Sequence, residues 1–249
     1  MILENALLRL TLDLAHGAAI TGLFDKTSGL DCADAPTSSS GPTDIHAAFH
    51  TRDFSIVAST PGISVTLAAT SADGTLKQTK TFALIPGKRS LQLAFTLENL
   101  TARERDILWG EHLAFGAPFV NASCEIAAPI VSYFDPKEEP VLRMRWPHLV
   151  DGTDISRTRV TQPNDIRTYF LNDFAAGTCG ITNADKKLSL TLGWDTGVFS
   201  YCWLTEALNR ITLAPYTGMP NALEEGHGTL TLPANGSVAT SLSISIATL

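Results

Sequence analysis

The chain has 249 residues, enough for one large β domain or two small ones, and 44% of them are hydrophobic, which supplies a sizeable core. Charged residues make up only 17%, and the formal net charge is −7. The sequence holds no Lys/Arg cluster of the kind that neutralises phosphates, which argues against nucleic acid as a partner. No apolar run reaches 18 residues, so we expect no membrane span.

The N-terminus and the cysteines indicate the cellular setting. The first ten residues carry Glu4 where a signal peptide needs positive charge, and they lack a continuous apolar region, so we expect a cytoplasmic protein. No two of the four cysteines have CxxC spacing, which argues against a zinc knuckle or a dithiol redox motif. We expect all four to be buried as small hydrophobic side chains. We expect no metal and no organic cofactor.

The first half of the chain alternates apolar and polar residues with a period of two, which predicts strands. The first strand covers residues 6–14 and places Leu8, Leu10, Leu12 and Leu14 on one face. A second strand at 20–24 ends in the glycine turn 25–29, and residues 31–45 are rich in Ser, Pro, Gly and Asp, which indicates a loop. Further strands are predicted at 54–58, 63–68, 76–82 and 91–98, with turns at 71–74 and 86–87.

The second half of the chain shows the same alternation. Strands are predicted at 167–172, 188–194, 199–204, 210–214, 228–232 and 238–247. We find no amphipathic helix longer than about ten residues. The polar segment 135–166 is too long for a simple connection. Many short strands at this spacing predict an all-β fold, a large antiparallel β-sandwich, and we expect one domain over residues 1–249.

Three local clusters hold the residues that can carry chemistry. Residues 44–54 form the first cluster, which contains His46, His50, Arg52 and Asp53. Residues 107–119 form the second, in which Glu111 and His112 are adjacent, and residues 213–226 form the third. Each also has an ordinary interpretation: a polar surface loop, a satisfied polar patch and a Pro-Tyr-Thr-Gly turn. His46 and His50 would share a helical face, but the segment has no helical pattern, so we do not expect a metal site there.

Taken in order, the clusters resemble the galactose mutarotase, or aldose 1-epimerase, superfamily, including its hexose-6-phosphate epimerase branch. The segment from His46 to Phe54 resembles the family's His-Gly-x-x-Arg-x-x-Trp motif. Trp109-Gly-Glu-His112 followed by Phe115 resembles the Asn-His-x-x-Phe segment that carries the catalytic histidine. Leu213-Ala-Pro-Tyr-Thr-Gly resembles the strand that reads Leu-Glu-Pro. The resemblance covers most of the chain and implies a galactose mutarotase-like supersandwich that binds a sugar.

The resemblance also implies residue roles. His112 would donate a proton to the ring oxygen of an aldose, while His46, Arg52, Asp165, Trp109 and Tyr216 would contact the sugar. The family's catalytic glutamate falls on Ala214, so the expected base is missing. Three carboxylates are candidates to replace it, in the order Glu206, Glu111 and Asp165. Strand alternation would direct Glu111 to the face opposite His112, if the segment is extended there.

These observations leave three functions open. The first is an isomerase that interconverts the anomers of a free or phosphorylated aldose by acid/base ring opening. The second is a carbohydrate-binding or regulatory protein without catalysis, and the third is an accessory sandwich of a carbohydrate-processing assembly. A sugar phosphate would be favoured by the arginines of the long segment, Arg143, Arg145, Arg157, Arg159 and Arg167, and sugar binding by the aromatic residues Tyr133, Phe134 and Trp146. We expect a monomer or a homodimer.

Overall fold

A computed structural model describes residues 1–35, 45–137, 143–158, 162, 164–225 and 228–249. The strands in the first half are β1 (Ile2–Glu4), β2 (Leu8–Asp13), β3 (Ala19–Asp25), β4 (Leu30–Asp31), β5 (Ser55–Thr60), β6 (Ser64–Thr70), β7 (Leu76–Leu84), β8 (Ser90–Asn99), β9 (Arg105–Ile107) and β10 (Leu113–Gly116). Those in the second half are β11 (Cys124–Ala127), β12 (Ser132–Phe134), β13 (Arg143–Arg145), β14 (Arg167–Asn172), β15 (Thr178–Asn183), β16 (Leu188–Trp194), β17 (Tyr201–Ala207), β18 (Arg210–Tyr216), β19 (Leu230–Leu232) and β20 (Ser237–Thr248). Two short helices accompany them, α1 (Ile45–Phe49) and α2 (Ala222–Glu225).

Two large sheets form the body of the molecule. The larger has eight strands in the order β11-β15-β16-β20-β8-β7-β6-β5, and the other has six in the order β10-β18-β17-β14-β12-β13. Strands β1 to β4 form a third sheet in sequence order, and β9 pairs with β19. The described strand pairs are antiparallel. Neighbouring strands in the two large sheets are often distant in sequence, so crossing connections as well as hairpins join them.

The core lies between the inner faces of these sheets. One continuous cluster of buried side chains joins Leu93 and Leu192 of the larger sheet to Leu204 and Leu213 of the six-stranded sheet. The leucines of β2 also belong to it. Each fully buried aliphatic side chain contributes about 1.5–3 kcal/mol relative to an exposed one, so this shared cluster holds the sheets face to face. The predicted all-β sandwich is confirmed.

Strand β7 carries an exception to the apolar inner face. Its side chains alternate strictly between buried and half-buried positions. The buried positions hold Leu76, Phe82 and Leu84, as expected, but also Gln78 and Lys80. Burying an amide and an ammonium costs free energy unless both are hydrogen-bonded, so these two positions mark polar chemistry inside the sandwich.

Most sequence predictions of local structure agree with the structure, and one does not. The strands predicted at 167–172 and 188–194 match β14 and β16, and Gly29 and Gly87 have the positive φ that their turns need. The four cysteines are free and buried. The prediction that residues 44–54 lack helix is wrong, because α1 forms there, although residue 44 itself lies outside the described residues. In the described part of the chain, neither helix has the length and apolar character that crossing a bilayer requires.

Candidate functional site

A cavity of about 360 Å³ lies between the inner face of the larger sheet and a cover formed by residues 16–21 and α1. Its apolar lining includes Ile20, Phe49, Phe82, Leu93, Phe95 and Leu113. Its polar lining is Asp13, His16, Thr21, His46, His50, Thr51, Gln78, Lys80, Glu111 and His112. A concave apolar site with a few convergent polar groups is the usual form of a small-molecule site, and this volume is near the lower end of their range.

Helix α1 places two histidines at the cavity. Its single turn buries Ile45 and Phe49 in the core, which leaves His46 and His50, four residues apart, on a common side. Their rings stack with centroids 5.8 Å apart. Gly17 lets the backbone at His50 pack closely against it, because glycine has no side chain. A Cβ at Gly17 would lie only 3.0 Å from the Cα of His50. The backbone N–H of Gly17 also donates to the carbonyl of Arg52.

His46 and His112 meet at the cavity although 66 residues separate them in the sequence. Their ring centroids are 4.5 Å apart. Burial lowers the pKa of His46 to about 3, and the charges of Lys80 and His50 act in the same direction. Burial also lowers the pKa of His112 to about 3, with a further lowering from His46 that Glu111 opposes. Both rings are therefore neutral at pH 7, and neither holds the imidazolium that the predicted acid role of His112 requires.

Glu111 and Lys80 form a buried ion pair beside the two rings. The Lys80 Nζ lies 2.9 Å from Oε2 of Glu111, and both side chains are only 9% exposed. Gln78 donates from Nε2 to Oε1 of Glu111 at 2.8 Å, and Trp109 donates from Nε1 to the same oxygen at 3.4 Å. The rings of Phe54 and Phe95 lie 5.6 and 5.8 Å from Nζ. Three donors therefore satisfy the buried carboxylate of Glu111 inside the sandwich.

Glu111 and His112 line the same cavity, although alternation would separate their side chains. The condition for alternation is not met, because residues 109, 111 and 112 lie between β9 and β10 outside any regular strand. A break in the pleat lets two consecutive side chains reach one space. The structure therefore brings a carboxylate next to the predicted catalytic histidine by a route that the strand pattern does not predict.

Tyr216 supports His112 from behind the cavity. Its hydroxyl shares a hydrogen bond of 2.8 Å with Nε2 of His112. The Tyr216 ring stacks on Trp203 at 3.7 Å with an interplanar angle of 5°. Gly110 lies against the other side, where a Cβ would come within 2.2 Å of the ring. Tyr216 and Trp109 are fully buried and lie outside the cavity lining, so they hold the lining residues rather than forming the lining.

Ala214 lies on the other side of β18 from the main core. With Leu108, Tyr216 and Ala222 it forms a small apolar cluster, and its exposure is 1%. It pairs with Trp203 in the sheet and does not line the cavity. The position therefore holds a methyl group in apolar surroundings, where the family has a carboxylate.

Three predicted site residues lie elsewhere. Glu206 sits three positions after Trp203 on β17, so its side chain points to the opposite face from the ring that contacts His112, and it lines a separate cleft. Asp165 accepts a hydrogen bond from Arg167 at 3.1 Å and does not line the cavity. Arg52 donates from Nε to the carbonyl of Thr70 and is likewise outside the lining. The structure unites only His46, Glu111 and His112 of the predicted set in the cavity.

Three arginines of the long segment pair with acids that do not line the cavity. Arg143 pairs with Asp173, Arg157 with Asp154 and Glu125, and Arg167 with Asp165, while Arg159 lies outside the described residues. Among the described residues, no arginine lines the cavity. Tyr133, predicted as part of an aromatic platform, is fully buried in the core. The described residues also contain no group of three or more metal-ligating side chains placed to hold an ion.

Sequence reasoning missed Gln78 and Lys80, which anchor the carboxylate. The signal was present in the strand Leu76-Lys-Gln-Thr-Lys-Thr-Phe, since alternation puts residues 78 and 80 on the same face as Leu76 and Phe82. A lysine in phase with buried apolar residues is rarely buried without a partner. That phase could have marked a buried cation, but it could not have identified Glu111 as its partner.

The fold is shared with solved structures, although the sequence matches no family model and no curated protein. The Slr1438 protein from Synechocystis sp. PCC 6803 is 15% identical with a TM-score of 0.79, and the match covers 100% of this chain and 96% of that one. A galactose mutarotase-like protein from Lactobacillus casei ATCC 334 is 15% identical with a TM-score of 0.76 and 99% coverage of both chains.

A third match has the same architecture. The galactose mutarotase related enzyme from Lactobacillus acidophilus is 11% identical, with a TM-score of 0.76, 100% coverage of this chain and 97% of that chain. The described residues therefore form an antiparallel β-supersandwich. It is the galactose mutarotase-like fold, as the order of the sequence motifs implied.

Proposed function

We propose that this protein binds a neutral monosaccharide in the cavity and interconverts its anomers as an aldose 1-epimerase-like isomerase. The observation that carries the proposal is the meeting of the Glu111 carboxylate and the His112 imidazole in one cavity of about 360 Å³. The fold supports it, because the matched structures include galactose mutarotase-like proteins. Glu111 would thereby replace the carboxylate that the family places at residue 214.

The lining favours an uncharged sugar over a sugar phosphate. A phosphate site normally gathers arginines that donate two parallel hydrogen bonds, and the described lining offers none. The ammonium of Lys80 is already neutralised by Glu111. The phenylalanine rings and Ile20 suit the apolar C–H face of a pyranose, while the imidazoles, Gln78 and Glu111 suit its hydroxyls. The small volume favours a single sugar ring over an oligosaccharide.

The chemistry requires one proton to leave the sugar and one to arrive. Glu111 accepts the proton of the anomeric hydroxyl, the bond from C1 to the ring oxygen breaks, and C1 becomes a carbonyl while the ring oxygen receives a proton. Rotation about C1–C2 and the reverse sequence give the other anomer. His112 is neutral at pH 7, so it orients the sugar by hydrogen bonding and leaves the proton delivery to another group.

A second candidate function is sugar binding without catalysis. It is favoured by the three donors that already engage Glu111 and by the neutral state of both imidazoles. A carboxylate whose two oxygens already accept three hydrogen bonds has less capacity left to accept one from a sugar hydroxyl. The two functions share one site and differ in whether anomer exchange accelerates.

Polarimetry and saturation-transfer NMR on freshly dissolved glucose and galactose separate the two functions. The isomerase predicts accelerated anomer exchange by the wild-type protein and a loss of about 10²–10⁴-fold in kcat for Glu111→Gln. Asp165→Asn is the matched control, because that carboxylate lies outside the cavity, and it should retain wild-type activity. Sugar-dependent shifts of the histidine ring signals without acceleration would leave only the binder. The absence of binding to any monosaccharide tested would contradict both functions.

A further inference from the structure

Lys80 has the properties of a proton donor inside the cavity. Its Nζ carries the one ammonium among the described lining residues, and its side chain is 9% exposed. It sits 2.9 Å from Oε2 of Glu111, so an N–H donor and a carboxylate acceptor face the cavity side by side. The neighbouring imidazoles of His46 and His112 are neutral at pH 7, so neither of these two rings competes with Lys80 as the proton donor beside Glu111.

We propose that Lys80 is a catalytic residue that gives its proton to the ring oxygen of the sugar while Glu111 accepts the proton of the anomeric hydroxyl. This inference rests on the proposed isomerase function and adds the missing acid to it. The anomeric hydroxyl and the ring oxygen are bonded to the same carbon. A donor and an acceptor 2.9 Å apart therefore match the two sites of proton transfer without any movement of the backbone.

The proton balance closes without another reactant. In ring opening the O–H bond of the anomeric hydroxyl breaks and its proton moves to Glu111, while its electron pair forms the C1 carbonyl. The bond from C1 to the ring oxygen breaks, and the ring oxygen takes a proton from an N–H bond of Lys80. The site then holds a carboxylic acid and an amine in contact, and the sugar is the open aldehyde. Ring closure on the other face of C1 reverses both transfers and restores the ion pair. No metal ion, oxidant or cofactor takes part in this sequence.

The surroundings of Lys80 hold its Nζ beside the acceptor that takes part in the exchange. The ammonium lies against the rings of Phe54 and Phe95, and the Glu111 carboxylate is its ion-pair partner. The titratable groups that face it are Glu111, His46 and His112. When both transfers occur together, the pair passes from an ammonium and a carboxylate to an amine and a carboxylic acid in contact. Proton transfer through the sugar therefore avoids creating an isolated charge.

Two variants of Lys80 test the donor role by kcat, measured by polarimetry with an aldose that the wild-type protein isomerises. Lys80→Met removes the proton and should lower kcat by about 100-fold or more. Lys80→Arg keeps the positive charge beside Glu111, but a guanidinium does not give up its proton in proteins, so kcat should fall similarly. Lys77→Met is the matched control on the same strand, since that side chain points away from the core and pairs with Glu98, and it should keep wild-type kcat.

Chemical rescue distinguishes proton donation from charge or shape. Methylammonium chloride added to Lys80→Ala should restore kcat at least tenfold, whereas tetramethylammonium chloride at equal ionic strength should not, because it has no proton to give. Sugar binding, followed by NMR, should persist in Lys80→Arg.

The outcomes separate this inference from the proposed function. Wild-type acceleration together with an unchanged kcat in Lys80→Arg would overturn the role of Lys80 and leave the isomerase intact. Equal rescue by both ammonium salts would also overturn it. A wild-type protein that binds sugar without accelerating exchange would overturn the isomerase and the donor role together. Loss of kcat in both variants with rescue only by methylammonium would establish the donor.

Discussion

The buried ion pair between Lys80 and Glu111 makes the sharpest prediction about stability. Glu111→Gln keeps the shape of the side chain but removes its negative charge, and it places amide N–H groups against the Lys80 ammonium. Both side chains are 9% exposed, so the ammonium would remain in the sandwich with no counter-charge. Breaking a buried pair in this way costs about 3–5 kcal/mol. The free energy of unfolding of this variant should fall by that amount at pH 7.

An exposed pair on the same strand provides the control. Lys77 and Glu98 have the same 2.9 Å separation, but their side chains are 41% and 35% exposed. Water screens such a pair, and exposed pairs contribute about 1 kcal/mol or less. Glu98→Gln should therefore change stability several-fold less than Glu111→Gln does. The two pairs share the same N–O distance, and their lysines lie on the same strand. The difference in stability loss between the two variants therefore measures the effect of burial.

Urea unfolding followed by tryptophan fluorescence measures these changes, and a double variant completes the cycle. Glu111→Gln/Lys80→Met replaces the ion pair by a neutral amide and an apolar chain, and should be within about 2 kcal/mol of the wild-type stability, since replacing both charges of a buried pair is often nearly neutral. An effect of Glu111→Gln below about 1 kcal/mol, equal to that of Glu98→Gln, would refute the reasoning. It would mean that water reaches Lys80 and that the pair is not desolvated.

Three further predictions follow from the same site. Ala214→Glu should lower the free energy of unfolding in urea by at least about 2 kcal/mol and should not accelerate anomer exchange. The reason is that the position is buried among apolar side chains outside the cavity. Faster anomer exchange in this variant would contradict that placement. Gly110→Ala should cost about 1–3 kcal/mol in thermal unfolding through the clash with Tyr216, and an unchanged Tm would contradict that contact. Stability should fall as the pH drops below about 6.5, because His46 and His112 take up protons in the unfolded chain but stay neutral in the folded protein. A His46→Gln variant whose stability falls as steeply with pH as that of the wild type would contradict this origin.

The sequence predicted the strands better than the site, for a physical reason. A half-buried strand can be recognised within a few residues, because its side chains alternate between the apolar core and the solvent. The positions of β14 and β16 followed directly from that period. Helix α1 was missed because a single turn gives no repeated pattern, and its formation depends on burying Ile45 and Phe49 and on the close approach of Gly17.

Some residues of the candidate site could likewise be predicted from the sequence, and others could not. The motif order was enough to select His46 and His112, and their rings meet at 4.5 Å. It ranked Glu206 above Glu111 as the candidate base, but the fold places Glu111 and not Glu206 in the cavity, because side-chain direction depends on where the pleat is regular. Glu206 lies within a regular strand that directs it away, whereas Glu111 lies in a break that admits it to the cavity.

The sequence by itself determined an all-β sandwich, the two histidines of the candidate site and the absence of a carboxylate at residue 214. Only the tertiary structure decided that Glu111 supplies a carboxylate, that Lys80 and Gln78 hold it, and that both histidines are neutral. The first set follows from local patterns, namely the alternation of apolar and polar residues and the order of short motifs along the chain. The second depends on contacts between residues more than thirty positions apart and on the loss of water around them, and neither exists until the sheets have packed.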